Sequence, residues 1–151
     1  MHSVPSYQVV TRELAWFRPS EQVDEQHATA LAREIAALGR WITPIPVEHA
    51  SGIVMDGNHR LRAAALLGLR HLPCVALDYA DARVCVTHWA SGEPYPVARI
   101  FETIAARQLL AYKSTRHVFA PQLPRIDVAL TDLGYAAPAG QLLPIPRYQR
   151  A

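Results

Sequence analysis

The stretch "VMDGNHRLRAAALLGL", residues 54–69, decides how the fold is read. Two apolar residues run into Asp56-Gly57-Asn58-His59-Arg60, and an alanine- and leucine-rich segment follows. The pattern predicts a short buried strand at Ile53 to Met55 and a turn at Asp56-Gly57. A helix then opens at Asn58 or His59 and runs to Leu67, with Gly68 as its stop. A strand, a glycine turn and a helix start make an anion site together. The first N–H groups of a helix have no partner within it, and the dipole favours negative charge there. Gly57 lets backbone approach a ligand closely. Arg60 can hold a phosphate through two parallel hydrogen bonds, and His59 can donate as well. Asp56 is the odd member, because a carboxylate repels phosphate. It suits a cation, an orienting contact to His59 or Arg60, or a proton-accepting role. A plainer reading stands beside this one, with Asp-Gly as a simple turn and Asn58 as a helix cap. The Asn-His-Arg continuation, at a helix start behind a buried strand, favours the ligand site.

Working outward, Ile42 to Val47 is broken by Pro44 and Pro46 and reads as an edge strand or extended entry. Leu72 to Leu77 and Val84 to Trp89 read as further strands. Upstream, Ser20 follows Pro19 and is placed to cap a helix. Its positions Val23, His27, Leu31, Ile35 and Leu38 recur every three or four residues as one buried stripe, and Gly39 ends it. Glu21 then falls in the first turn, where a carboxylate simply matches the dipole. Val97, Ile100, Phe101 and Ile104 mark another helix. After Tyr112, the run Lys113-Ser114-Thr115-Arg116-His117 reads as a loop. Two cations, two hydroxyls and an imidazole suit phosphate or carboxylate recognition, and equally a solvated basic loop after a helix. From about residue 121 the tail is punctuated by proline, with one strand expected around Ile126 to Leu130. Interleaved strands and helices predict a compact α/β (α+β) domain, a small mixed sheet flanked by helices, over residues 1–151.

Bulk composition narrows the classes. The chain has 151 residues, half of them hydrophobic, enough for one real core. A net charge of +2 is too mild to imply nucleic-acid binding. No eighteen-residue apolar run predicts a membrane span, and Met1 to Thr11 lacks a secretory pattern. Cys74 and Cys85 lie in strand-like runs and read as small core residues of a reduced, cytoplasmic protein. His2, His27, His49, His71 and His88 have no metal-ligand spacing, so no protein-held metal is expected. Trp41 is apolar and serves either a core or an interface.

The segment "PIPVEHASGIVMDGNHRLRAAALLGLRHLPCVALDY" resembles the signature of the ParB/sulfiredoxin-like fold, over residues 41–79. Sulfiredoxins need a cysteine in the turn where this chain has Asn58, which argues against that activity. Chromosome-partitioning ParB proteins carry a helix-turn-helix domain downstream, and residues 118–151 are proline-rich instead, which argues against DNA binding. The free L-serine kinases resemble the chain over more of its length, about residues 14–133. They have a glutamate near the first helix, here Glu21 in "FRPSEQVDEQHATAL". They have a D-G-H-H-R turn, here Asp56 to Arg60, and a tryptophan after a later strand, here Trp89. They also have a Lys-Ser/Thr-Thr-Arg-His run, here Lys113 to His117, and a "PRI" tail like "LPRIDVALTDLG".

The resemblance implies phosphoryl transfer from ATP or ADP, with Mg2+, to the hydroxyl of free L-serine, giving O-phospho-L-serine. It implies Glu21 or Asp56 as the base and Gly57, Asn58, His59 and Arg60 around the nucleotide phosphates. Trp89, Lys113, Thr115, Arg116 and His117 would enclose the small amino-acid substrate. Asn58 departs from the family histidine and can neither carry charge nor shuttle a proton. The alternative is a nucleotide-binding regulatory module of ParB type, with a protein or DNA partner and no phosphotransfer.

Overall fold

The computed structural model describes residues 6–137. The elements, in chain order, are β1 (Val10–Glu13), α1 (Glu25–Leu38), β2 (Arg40–Trp41), β3 (Ile45–Glu48) and α2 (Asn58–Leu66). They continue with β4 (His71–Leu77), β5 (Val84–His88), α3 (Val97–Ala105), β6 (Thr115–Phe119) and β7 (Val128–Ala129). Short 3-10 turns occupy Leu14–Trp16 and Leu130–Leu133. The result is the mixed α/β arrangement expected from the sequence. The remainder of the expected tail, residues 138–151, lies outside the described residues.

β4 is the central strand. β1 pairs with it antiparallel and β3 parallel, in the order β1-β4-β3. Its residues Leu72, Pro73, Cys74 and Val75 are all buried, as a strand covered on both faces requires. β3 is an edge strand, which is where Pro44 and Pro46 are tolerated. The main core joins Phe17, Trp41, Ile45, Val47, Val54, Leu61, Leu72 and Leu130. Trp41 is thus core rather than interface, at 2% exposure. β5 and β6 form a separate antiparallel pair, and β2 and β7 another.

Several sequence expectations are corrected. Ser20 does not cap α1. Asp24 does, its carboxylate accepting from the N–H groups of Gln26 at 2.9 Å and His27 at 3.2 Å. Glu21 therefore precedes the helix and sits in an extended segment bridged to Leu110. Both Ser20 and Asp24 are good cap residues, and the tertiary bridge decides between them. The stripe of α1 is not wholly buried. Ala28 and Ala32 face inward, while His27 and Leu38 are exposed. Small residues on this face let α1 pack closely on α2. Ile53 and Val54 are fully buried but make only isolated bridges, to Arg18 and Val47. The run 113–117 is only half loop, because Thr115 to His117 begin β6. Cys85 is exposed on β5, whereas Cys74 is core.

Loss of the Asp24 cap leaves two helix-start donors without their side-chain acceptor. Asp24→Ala should destabilise the fold by roughly 1 kcal/mol, read as a lower urea midpoint at unchanged m-value.

Candidate functional site

Gly57 caps α2 with φ 97°, a conformation that favours glycine, and no side chain caps the helix start. A Cβ on Gly57 would stand 3.0 Å from the Arg60 Nη2, so glycine is also what lets the Arg60 side chain fold back beneath the turn. Burial pulls the Arg60 pKa down, against the pull of Asp56, and its Nη1 is buried with no hydrogen-bond partner among the described residues. A buried cationic donor of this kind is costly unless an acceptor reaches it. The backbone N–H groups at the start of α2 point the same way as in any helix, towards a place for an anion.

Asn58 has a different use from the one expected. Its Oδ1 accepts from the N–H of Ser20 at 2.8 Å and of Glu21 at 3.3 Å. Its Nδ2 donates to Ser20 Oγ at 3.1 Å, and that hydroxyl donates to the Val54 carbonyl at 2.7 Å. The side chain thus holds the segment bearing Glu21 against the start of α2. His59 is also committed, since its Nε2 accepts from the Asp24 N–H at 3.0 Å. Its pKa is lowered by burial and by the neighbouring His27, whose ring lies 4.4 Å away between centroids.

Glu21 is gripped from the far side. Its Oε1 accepts from the Lys113 N–H at 3.1 Å. Its Oε2 accepts from the Thr115 N–H at 3.1 Å and the Thr115 hydroxyl at 2.7 Å. Lys113 adopts φ 58°, unusual for a side-chain-bearing residue, and this turns its N–H onto the carboxylate. The Lys113 ammonium and the Arg116 guanidinium both lie over the Trp89 ring, at 5.4 Å and 4.5 Å from its centroid. Two cations are thereby held against one aromatic ring.

These groups share one cavity of about 570 Å³. Glu21, Asp56, Gly57, Asn58, His59, Arg60, Trp89, Lys113, Thr115, Arg116 and His117 all line it. The structure therefore brings together, from four separated segments, every residue to which the resemblance gave a role, while Ser114 of the 113–117 run is not in the lining. Gln22, His27, Leu31, Met55 and Tyr112 complete the wall. His27 and Leu31 were legible only as part of a helix stripe, and these two positions face the cavity while Ile35 of the same stripe packs against the core. Asp56 is exposed at the rim. Glu21 and Asn58 also border a second, larger hollow of about 870 Å³, lined by Leu14, Phe17, Leu61 and Leu109 together with Glu25, Arg62, Arg70 and His71.

No family model matches the chain. It is similar to an ATP-dependent L-serine kinase of Desulfurococcus mucosus, 35% identical over 68 residues, 45% of this chain and 26% of that protein. It is also similar to an ADP-dependent L-serine kinase of Thermococcus kodakarensis, 27% identical over 100 residues, 59% of this chain and 41% of that protein. The matches thus span about a quarter to two fifths of these relatives' length. Among solved structures, a free serine kinase in complex with AMP superposes with a TM-score of 0.76 at 16% identity, covering 85% of this chain and 95% of that one. The chain has the fold of the free serine kinases. Among the described residues, no helix is long and apolar enough to cross a membrane.

Burial pushes the His117 imidazole down to about 4 from its ordinary 6.5. The unfolded chain then binds the extra proton first. The stability this group contributes is complete above about pH 6.5 and is lost as pH falls towards 4. Unfolding free energy should drop by up to about 1.4 kcal/mol per pH unit in that window. Urea titrations at several pH values should show the slope reduced in His117→Gln, with His59 supplying a slope of the same sign.

Proposed function

We propose that the cavity is the active site of a small-molecule kinase, moving a phosphoryl group from ATP or ADP to free L-serine. The observation that carries the reading is the Glu21 carboxylate. It is held by three donors from Lys113 and Thr115, in a cavity that the uncapped start of α2 also lines. The similarity to L-serine kinases and to a fold solved with AMP supports it.

A carboxylate has about four acceptor sites. Three are taken by the protein, which leaves Glu21 one for the proton of the serine hydroxyl. The serine oxygen attacks the terminal phosphorus of the nucleotide. The bond from that phosphorus to the leaving nucleotide oxygen breaks, and the serine proton passes to Glu21. Phosphoryl transfer asks for positioning and charge neutralisation more than covalent help. The α2 start and Arg60 serve the nucleotide phosphates. Lys113 and Arg116, fixed on Trp89, serve the serine carboxylate and the incoming phosphoryl group. His117 and Thr115 close that side, and Asp56 is an acceptor for the substrate ammonium or for a cation.

Magnesium fits this donor set as an ion carried by the nucleotide. Glu21 and Asp56 are the carboxylates of the wall, and the described residues contain no cluster of three metal-ligating side chains. An ion held by phosphates plus one or two carboxylates is the ordinary magnesium arrangement. Asp56, at the rim, is the side chain that would hold it, and the bound ion would offset phosphate charge.

The test is direct. Pure protein with magnesium, L-serine and either ATP or ADP should yield O-phosphoserine in phosphorus NMR, and the productive donor is thereby named. Glu21→Gln should lower kcat by about 10²–10⁴-fold while nucleotide affinity stays within a few-fold. Nucleotide binding with no phosphoserine from either donor would replace the kinase by a nucleotide-responsive regulatory module.

A further inference from the structure

Tyr79 closes the segment that resembles the fold signature but was given no site role there, and its hydroxyl lies 3.0 Å from Nε2 of His117. It lies two residues past the end of β4 and packs edge-on to Phe101, centroids 5.8 Å apart and planes at 77°. Around it are two apolar groups, one with Ile53, Ile100 and Ile104 and one with Met55, Val75 and Leu77. The phenol oxygen is thus delivered through apolar packing to one polar neighbour. Burial, with the Glu48 charge adding to it, holds the phenol pKa well above its ordinary value, so it keeps its proton.

A neutral imidazole has one N–H and one bare nitrogen. Two arrangements are open. In one, the Tyr79 O–H donates to bare Nε2, and the proton of His117 sits on Nδ1. In the other, Nε2–H donates to the phenol oxygen, and the proton of the half-buried tyrosine finds no other hydrogen-bond acceptor among the described residues. The first satisfies both groups and the second strands one, which decides between them. His117 Nδ1 has no partner among the described residues and is not among their buried polar atoms left without one, so it is open to the cavity that His117 lines.

We propose that Tyr79 is a positioning residue that fixes His117 as its Nδ1–H tautomer, presenting an uncharged hydrogen-bond donor to an anionic oxygen of the ligand. The charge for that oxygen comes from Lys113 and Arg116, while His117 sets where the oxygen must stand. The proposal about the ligand rests on the serine kinase reading. The tautomer itself does not, and it is measured without turnover.

The experiment is nitrogen-15 NMR of histidine-labelled protein at pH 7.5, with the His117 signals assigned by their loss in His117→Gln. Wild type should show Nδ1–H at His117, and Tyr79→Phe should show a mixture containing Nε2–H. Phe101→Leu perturbs the same packing without removing the hydroxyl and should keep the wild-type tautomer. In kinetics, Tyr79→Phe should raise KM for L-serine about tenfold or more and leave kcat within a few-fold. An Nε2–H tautomer in wild type, or an unchanged one in Tyr79→Phe, overturns the proposal. A changed tautomer with an unchanged KM overturns its ligand half. Absence of phosphoserine formation in wild type sinks the kinase reading instead, while the NMR result still decides the tautomer.

Discussion

The carboxamide of Asn58 is the contact on which the cavity depends. One side chain at the start of α2 bonds two successive backbone N–H groups, of Ser20 and Glu21, and one hydroxyl. The same segment is tied on its other edge to Leu110, through Gln22 N–H to the Leu110 carbonyl and Leu110 N–H to the Ser20 carbonyl. Glu21 is therefore fixed between two elements remote in sequence. An isolated glutamate on a mobile loop has many rotamers, and a carboxylate held by three donors has few. Positioning of this kind has to come from such a surrounding network.

Charge is arranged around that carboxylate in opposing layers. Arg60 lies under the α2 start, desolvated and with one nitrogen unpartnered. Lys113 and Arg116 stand across the cavity, their planes and tips anchored on Trp89. Removing cations from water carries a cost that an anionic ligand would offset. Trp89 limits the entropy those two long side chains lose on binding, because they are already stacked. The unfavourable backbone angle of Lys113 belongs to the same arrangement. Strain at a non-glycine residue persists only where its surroundings over-determine it. Here the surroundings are the Glu21 carboxylate below and the Tyr112 and Trp89 rings beside the ammonium.

Much of this was legible in the sequence, and the reasons for the rest are physical. The Asp56-Gly57 turn, α2 and β4 follow from glycine chemistry and from runs too apolar to lie outside. The edge placement of β3 follows from its prolines. Glu21 was harder, because Ser20 and Asp24 are both good caps four residues apart, and only the bridge to Leu110 excludes the earlier start. β6 was hidden for a related reason. Its inward positions begin with Thr115 and His117, which point at a polar cavity rather than a core. Hydrophobic alternation identifies strands that face apolar cores, and it is silent where the covered face is a site. His27 was misread in the same way, as one step in a core stripe. Tyr79 carried no signal, since its role is a single hydroxyl contact across 38 positions.

Asn58, which stands where the resembled serine kinases carry a histidine, suits the same clamp. An imidazole offers one acceptor and one donor on opposite sides of a ring. A carboxamide offers an oxygen with two lone pairs beside an NH₂, all within a short, planar group. Only the amide can accept from two adjacent N–H groups while donating to a hydroxyl next to them, and Ser20 supplies that hydroxyl here. Ser20 is 4% exposed, so its polar atoms need partners within the protein. Asn58 and Ser20 therefore make sense as a pair. A histidine at this position would have to release one of the two N–H groups, and the backbone of Glu21 would be held by one contact fewer. What the amide gives up is a titratable charge beside the α2 start, and there the buried Arg60 already supplies a fixed one.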